Sequence, residues 1–375
     1  MNQTQTRVWG LDDSLGRLSE FHTAVSLHSH TFHSKENLGF LPLYYNRVPI
    51  LNRQVQSRLK SYKESKGITI DFSNAYWTPP VSPRTVLASE KAQIEEQLGL
   101  PALVSITDHD TIAAHLSWDH EPQASWVPIS LEWTVPFQGN SLHLGVHNLP
   151  AASAADTMKV LAGYTAQPSE NKLADILAFL NHNSDTLVVL NHPLWNIYRV
   201  SAYEHERSIR NFLGRYQRWI HALELNGLNS SSDNQTVLRM AEDRGLPVVG
   251  GGDRHGCRPN RVLNLTPAEN WSDYVAQIRV ERRSNILLLP AYQEPVGLRH
   301  LEAAADVLRR YPHYPDGRRR FADRIFVELK GYGWRPLSFY WESGEPMWLR
   351  PALFAVMVLG SDPLRHLLRF FMPLG

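Results

Sequence analysis

The chain has 375 residues, a formal net charge of +1, 43% hydrophobic residues and 20% charged residues. That is enough to bury one large core or two smaller ones, in an ordinary soluble balance. The near-zero charge argues against stable binding of duplex nucleic acid, and the single cysteine, Cys257, excludes an intrachain disulfide and fits a reducing compartment.

The N-terminus has no basic stretch followed by an apolar run, and the apolar run at 351–359 is too short to span a bilayer. The expectation is a cytoplasmic protein without a transmembrane segment. No internal repeat or low-complexity tract is present.

In chain order, the first predicted strand covers 23–28 and leads into His28-Ser29-His30. Histidines at i and i+2 on a strand share one face, and such a converging pair suits a metal. A polar turn follows, with His33 and Glu36. Residues 38–80 carry Tyr44, Tyr45, Arg47, Arg53, Arg58, Tyr76 and Trp77, and are too long for a strand-to-helix connection, so they read as an insertion. Ser82 as N-cap and Pro83 at the first helical position predict a helix that stops at Gly99.

Strand 102–107 delivers Asp108, His109 and Asp110, strand 126–131 delivers Glu132, and strand 141–146 carries His143, with His147 just beyond. After a helix at 171–179, strand 186–190 delivers Asn191 and His192. A helix at 203–218 precedes strand 220–225, which delivers Glu224 and Asn226. A helix capped by Asp233 ends at Gly245, and strand 246–250 delivers Asp253, Arg254 and His255. From 267 to 375 the pattern predicts a mainly helical extension, including an amphipathic helix at 298–310 and an apolar and basic stretch at 349–374 with Trp348, Phe370 and Phe371. It would pack on the rest of the chain or on a second subunit in a homo-oligomer.

Strands alternating with helices predict an α/β fold with a mainly parallel sheet. Chemistry repeated at the C-terminal ends of strands points to a closed or nearly closed barrel, with a doubly wound open sheet as the alternative.

The candidate ligands are His28, His30, His109, Glu132, His143, His192, Asp253 and His255, with Glu36 or His33 as a ninth. Imidazole with carboxylate and no thiolate suits manganese, zinc or iron. The set is too large for one ion, and two to three divalent ions fit the count. Glu132 is the natural bridge, because a carboxylate can span two ions where imidazole cannot. Such a centre polarises a phosphoryl oxygen and generates hydroxide near neutral pH.

The segments around His28-Ser29-His30, Thr107-Asp108-His109-Asp110-Thr111, Leu131-Glu132, His143-Leu144-Gly145, Asn191-His192-Pro193 and Gly252-Asp253-Arg254-His255 resemble, in order, the motif series of the PHP (polymerase and histidinol phosphatase) family. The resemblance covers about 25–260. It implies a distorted (β/α)7 barrel, here 1–266, with a trinuclear centre that hydrolyses phosphoesters. By motif, His28, His30, Glu132 and Asp253 would hold one ion, and Glu132, His143 and His192 a second. His109, His255 and the ligand after the first motif would hold the third. Relatives often place Ser-Asp-Gly after the first motif. This chain has Ser34-Lys35-Glu36, and Glu36 is preferred over His33 for that ligand.

Glu132 and Asp253 are the expected catalytic groups, with Arg254 meeting a substrate phosphate or forming a rim salt bridge. Lys35, Arg199, Arg258 and Arg261 are further cationic candidates. Trp133 and Trp195 are candidates for ring stacking or for wall packing. Asp108, Asp110, Asn191 and Asn226 are expected to orient ligands. Cys257 reads as a small buried residue.

The expected activity is hydrolysis of a small phosphorylated substrate, nucleotide or short oligonucleotide. Amide or lactone hydrolysis, and a metal-binding scaffold for a protein partner, are the competing readings.

Overall fold

A computed structural model describes residues 4–39, 42, 46–47, 49–67, 69, 72, 75–118, 127–196, 201–314, 318–329, 333–341, 344–345, 347, 349–369 and 371. Tyr44, Tyr45, Arg199, Trp348 and Phe370, named above, and residue 126 at the start of the expected strand 126–131 lie outside the described residues.

The fold is mixed α/β. Its strands are β1 (Gln5–Gly10), β2 (Thr23–Ser26), β3 (Glu36–Asn37), β4 (Tyr76–Trp77), β5 (Ala102–Val104), β6 (Leu131–Phe137), β7 (Asn140–His147), β8 (Leu187–Leu190), β9 (Ala222–Asn226), β10 (Val248–Gly251), β11 (Val262–Thr266), β12 (Arg283–Leu288), β13 (Ile325–Leu329) and β14 (Gly333–Pro336). They form three sheets, in the orders β1-β12-β11-β2-β5, β10-β9-β8-β7-β6 and β14-β13-β4-β3. The expected mainly parallel sheet is instead mixed. β2 with β5, and β8 through β10, pair parallel, whereas β6-β7, β7-β8 and β11-β2 are antiparallel.

Among the described residues the sheets do not close into one continuous ladder. The two five-stranded sheets are nevertheless joined where their strands end. The Gly252 N–H donates to Leu27 O, and the His30 N–H to Arg254 O, linking the ends of β10 and β2. The Asp110 N–H donates to Glu132 O, linking the segment after β5 to β6. Every strand residue of β2, β8, β9, β10 and β11 is buried, which explains their short, near-continuous apolar runs.

The helices follow their caps. Ser82 accepts from the Thr85 N–H at the start of the Pro83–Leu98 helix, and Gly99 ends it in the left-handed conformation, as expected. Ser230, not Asp233, caps the Ser231–Arg244 helix; Ser230 accepts from the Asp233 N–H. The helix Ala154–Ala166 and the strands β1, β11 and β12 were not anticipated.

The excursion after β3 contains the helix Pro49–Lys66 and returns at β4, which pairs with β3. The C-terminal region supplies strands as well as the expected helices. β12 lies between β1 and β11, and β13 pairs with β4. Leu38 and Ala75 from the excursion share a core with Phe321, Val327, Leu337 and Tyr340. No helix is long and apolar enough to cross a membrane among the described residues.

Candidate metal centre

The first-motif histidines do not sit on a regular strand. β2 ends at Ser26, and His28 takes a left-handed backbone, φ 66°. Their rings still converge, with centroids 5.0 Å apart. His192 and Asp253 also have positive φ, 25° and 53°. Non-glycine residues pay for this conformation, and such strain gathers where a site over-determines the backbone.

Glu132, the second residue of β6, is fully buried at the centre of the donors. Its Oε2 lies 3.1 Å from His28 Nε2, 3.3 Å from His30 Nε2 and 3.2 Å from His109 Nε2. Its Oε1 lies 3.0 Å from His192 Nε2 and 3.4 Å from His143 Nδ1. Asn191 Nδ2 also donates to Oε1, at 3.0 Å. Asn191 and the buried His147 leave no room for a side chain at Gly145, where a Cβ would come within 2.7 Å of Asn191 Oδ1. His147 itself reaches Ser105 Oγ, 2.8 Å away.

Glu36 lies 3.2 Å from both His109 Nε2 and His255 Nε2. Ser34 Oγ donates to its Oε1 at 2.6 Å. His33 is not part of this group; its ring packs on Phe32. Asp253 Oδ1 is 3.4 Å from His28 Nε2, His30 Nε2 and His255 Nδ1.

All nine candidate donors therefore come together, in four overlapping groups whose ligating atoms lie within 4.8 Å of one another. They are His30-Glu36-His109-His255, His28-His30-Glu132, His28-His192-Asp253 and His109-Glu132-His143. The chemistry fits divalent ions. Three carboxylates meet six imidazoles, and His30 Nε2 and His143 Nδ1 are buried without a hydrogen-bond partner.

Burial pushes the Glu132 carboxyl up, but the rings of His28, His109 and His143 outweigh this and hold it well below the carboxylate range. Burial likewise disfavours the His109 cation, yet Glu36 and Glu132 raise its pKa to about 9. Burial raises Asp108 to about 6 despite the hydrogen bonds from Thr31. The side chains facing the opening are His143, His255, His109, Asp253 and Glu36, whose side chains are 20%, 17%, 12%, 12% and 10% exposed.

Other candidates sit elsewhere. The Arg254 guanidinium points away from the donors and is not available to a substrate. It is buried against Glu90 at 2.7 Å and also donates to Ser89 Oγ, Gly256 O and Cys257 O. Arg258 and Arg261 pair with Glu302, and Lys35 lies over the Tyr76 ring. Trp133 is core, its indole N–H donating to Thr165 Oγ1, while Trp195 is exposed beside His300. Asp108 accepts from the Thr31 hydroxyl and Asp110 from the Thr134 N–H, so both fix backbone next to donors. Cys257 is half-buried, its Sγ 3.6 Å from the Tyr314 hydroxyl.

Glu224 was not singled out as a site residue. It is 1% exposed and lies 2.6 Å from His28 Nδ1. The available signal was an acid set between Leu223 and Leu225 in a buried strand, a position that is costly without partners.

No family model matches this chain, and no curated protein matches it. Among solved structures, an amidohydrolase from Chromobacterium violaceum is 15% identical with a TM-score of 0.32, covering 47% of this chain and 83% of that one. A "putative metal-dependent phosphoesterase" from Bifidobacterium adolescentis is 20% identical with a TM-score of 0.31, covering 55% of this chain and 92% of that one.

Proposed function

We propose that this protein is a metal-dependent hydrolase of phosphoesters, its site carried at the mouth of a distorted (β/α)7 barrel whose strands are drawn from the two joined five-stranded sheets. The observation that carries this reading is the environment of Glu132. Five imidazole nitrogens converge on the two oxygens of one fully buried carboxylate. That number of rings exceeds what a carboxylate needs as hydrogen-bond partners, and it suits a carboxylate that bridges cations.

In this reading His28, His192 and Asp253 would hold one ion, His109 and His143 another, and His30, Glu36 and His255 a third, with Glu132 shared between the first two. Manganese, zinc or iron there would supply Lewis acidity toward a phosphoryl oxygen and lower the pKa of water. The chain's own residues do the rest. Glu132 would keep the cations close together. Asp253 and His255 stand at the opening, with Asp253 Oδ1 3.4 Å from His255 Nδ1, so a substrate would reach the ions past this pair.

The ordered motifs favour phosphoesters over amides or lactones. Lys35, the lysine adjacent in sequence to the donors, lies over Tyr76 rather than between donor groups. A panel of phosphomonoesters, phosphodiesters, amides and lactones, assayed with each metal and with chelator, tests the proposal. Chelator-sensitive turnover confined to phosphoesters supports it, and turnover confined to amides or lactones contradicts it.

A further inference from the structure

His28, His192 and Asp253 form one of the donor groups, and all three have left-handed backbones. Each also meets a single buried network behind it. Glu224 Oε1 lies 2.6 Å from His28 Nδ1. Glu224 Oε2 accepts the His192 backbone N–H at 2.7 Å. Asn226 Nδ2 lies 3.4 Å from both Glu224 Oε2 and Asp253 Oδ2. The neighbouring strand is shaped around this carboxylate. A Cβ on Gly251 would fall 1.5 Å from Glu224 Oε1, so only glycine leaves it room.

We propose that Glu224 is the positioning residue of the His28-His192-Asp253 group, fixing the His28 tautomer and the His192 backbone so that this group is preset to bind its divalent ion. The inference rests on the metal-centre reading above. With Nδ1 donating to Glu224, His28 Nε2 turns its lone pair toward Glu132 and Asp253, which is the form of imidazole that binds a cation. A carboxylate accepts from His28 and His192 at once. A glutamine amide has one acceptor oxygen and must turn its NH2 toward one of the two donors.

The test is titration of metal-stripped protein with cobalt(II), followed by its visible absorption, in wild type, Glu224→Gln and Gly251→Ala. Thermal unfolding of each variant without metal serves as the folding control. Gly251→Ala keeps the charge of Glu224 but displaces its carboxylate, so it decides the matter should Glu224→Gln not fold. The expected result is multistep binding in wild type, with one step weakened about 10–100-fold and its spectrum altered in the folded variants, and the other steps unchanged. Wild-type affinity at every step, or equal weakening of all steps, overturns the role of Glu224. A wild-type chain that takes up no cobalt overturns the metal-centre reading and this inference with it.

Discussion

Glu36 and Trp77 stand opposite each other across the β3-β4 ladder. Trp77 is in turn opposite Ile325 of β13, so a chain of strand pairs runs from a candidate metal ligand to the C-terminal region. The Trp77 ring also lies 5.7 Å from that of His255. The outer donor group, His30-Glu36-His109-His255, is thereby held from the side of the excursion and the C-terminal strands.

Phe321, 6% exposed, packs in the core beneath this third sheet. Phe321→Ala is expected to cost about 3–5 kcal/mol of stability. It should also weaken one step of a metal titration, that of the outer group. Urea unfolding and cobalt titration check both effects. Lost stability with an unchanged titration would show that the sheet and the site are independent.

Glu132→Gln leaves five imidazoles around one acceptor oxygen and no charge. Metal affinity should fall by more than the roughly 10–100-fold that loss of a supporting partner costs, and turnover should fall with it. Metal content after gel filtration is the check. A variant that keeps full metal content would remove Glu132 from the bridging role.

Arg254 and Glu90 form a buried pair, with side chains 2% and 0% exposed. Arg254→Met strands the carboxylate and should destabilise the protein by about 3–5 kcal/mol. The double variant with Glu90→Gln should lose less than the sum of the single changes. KM for a phosphoester should not change, because the guanidinium faces away from the donors. A raised KM at full stability would restore Arg254 to the site.

His221 accepts the Val188 N–H through Nδ1 and donates to Asn181 Oδ1 through Nε2. Burial pushes its pKa from 6.5 down to about 3. The unfolded chain therefore binds the proton more readily, and this contribution to stability, complete above the unfolded value, is lost as pH falls toward the folded one. The slope for this one group is at most about 1.4 kcal/mol per pH unit. Urea midpoints at pH 7 and pH 5 should differ less in His221→Gln than in wild type. Equal differences would assign the acid sensitivity to other groups.

The donors were legible because histidine and acid recur at the ends of apolar segments, and a strand end can aim a side chain into a shared mouth. Position alone did not give direction. Arg254 sits between Asp253 and His255 in sequence, yet its side chain turns to Glu90 because a buried guanidinium needs a carboxylate. Glu36 and Glu224 illustrate opposite cases. Glu36 followed from spacing after the first motif, whereas Glu224 touches His28 from behind and has no motif spacing of its own. Strands β11 and β12 were missed because short apolar runs such as Val262–Thr266 carry no alternation that separates strand from buried helix. The sheet formed by β3, β4, β13 and β14 joins segments far apart in the chain, a pairing that local patterns do not encode.

In the proposed function, nine side chains together hold a multinuclear metal centre. Elemental analysis of protein purified without added metal, repeated after supplying manganese, zinc or iron, tests it most directly. The structure leads us to expect two to three ions per chain. One ion or none, even after each metal has been supplied, would contradict the account.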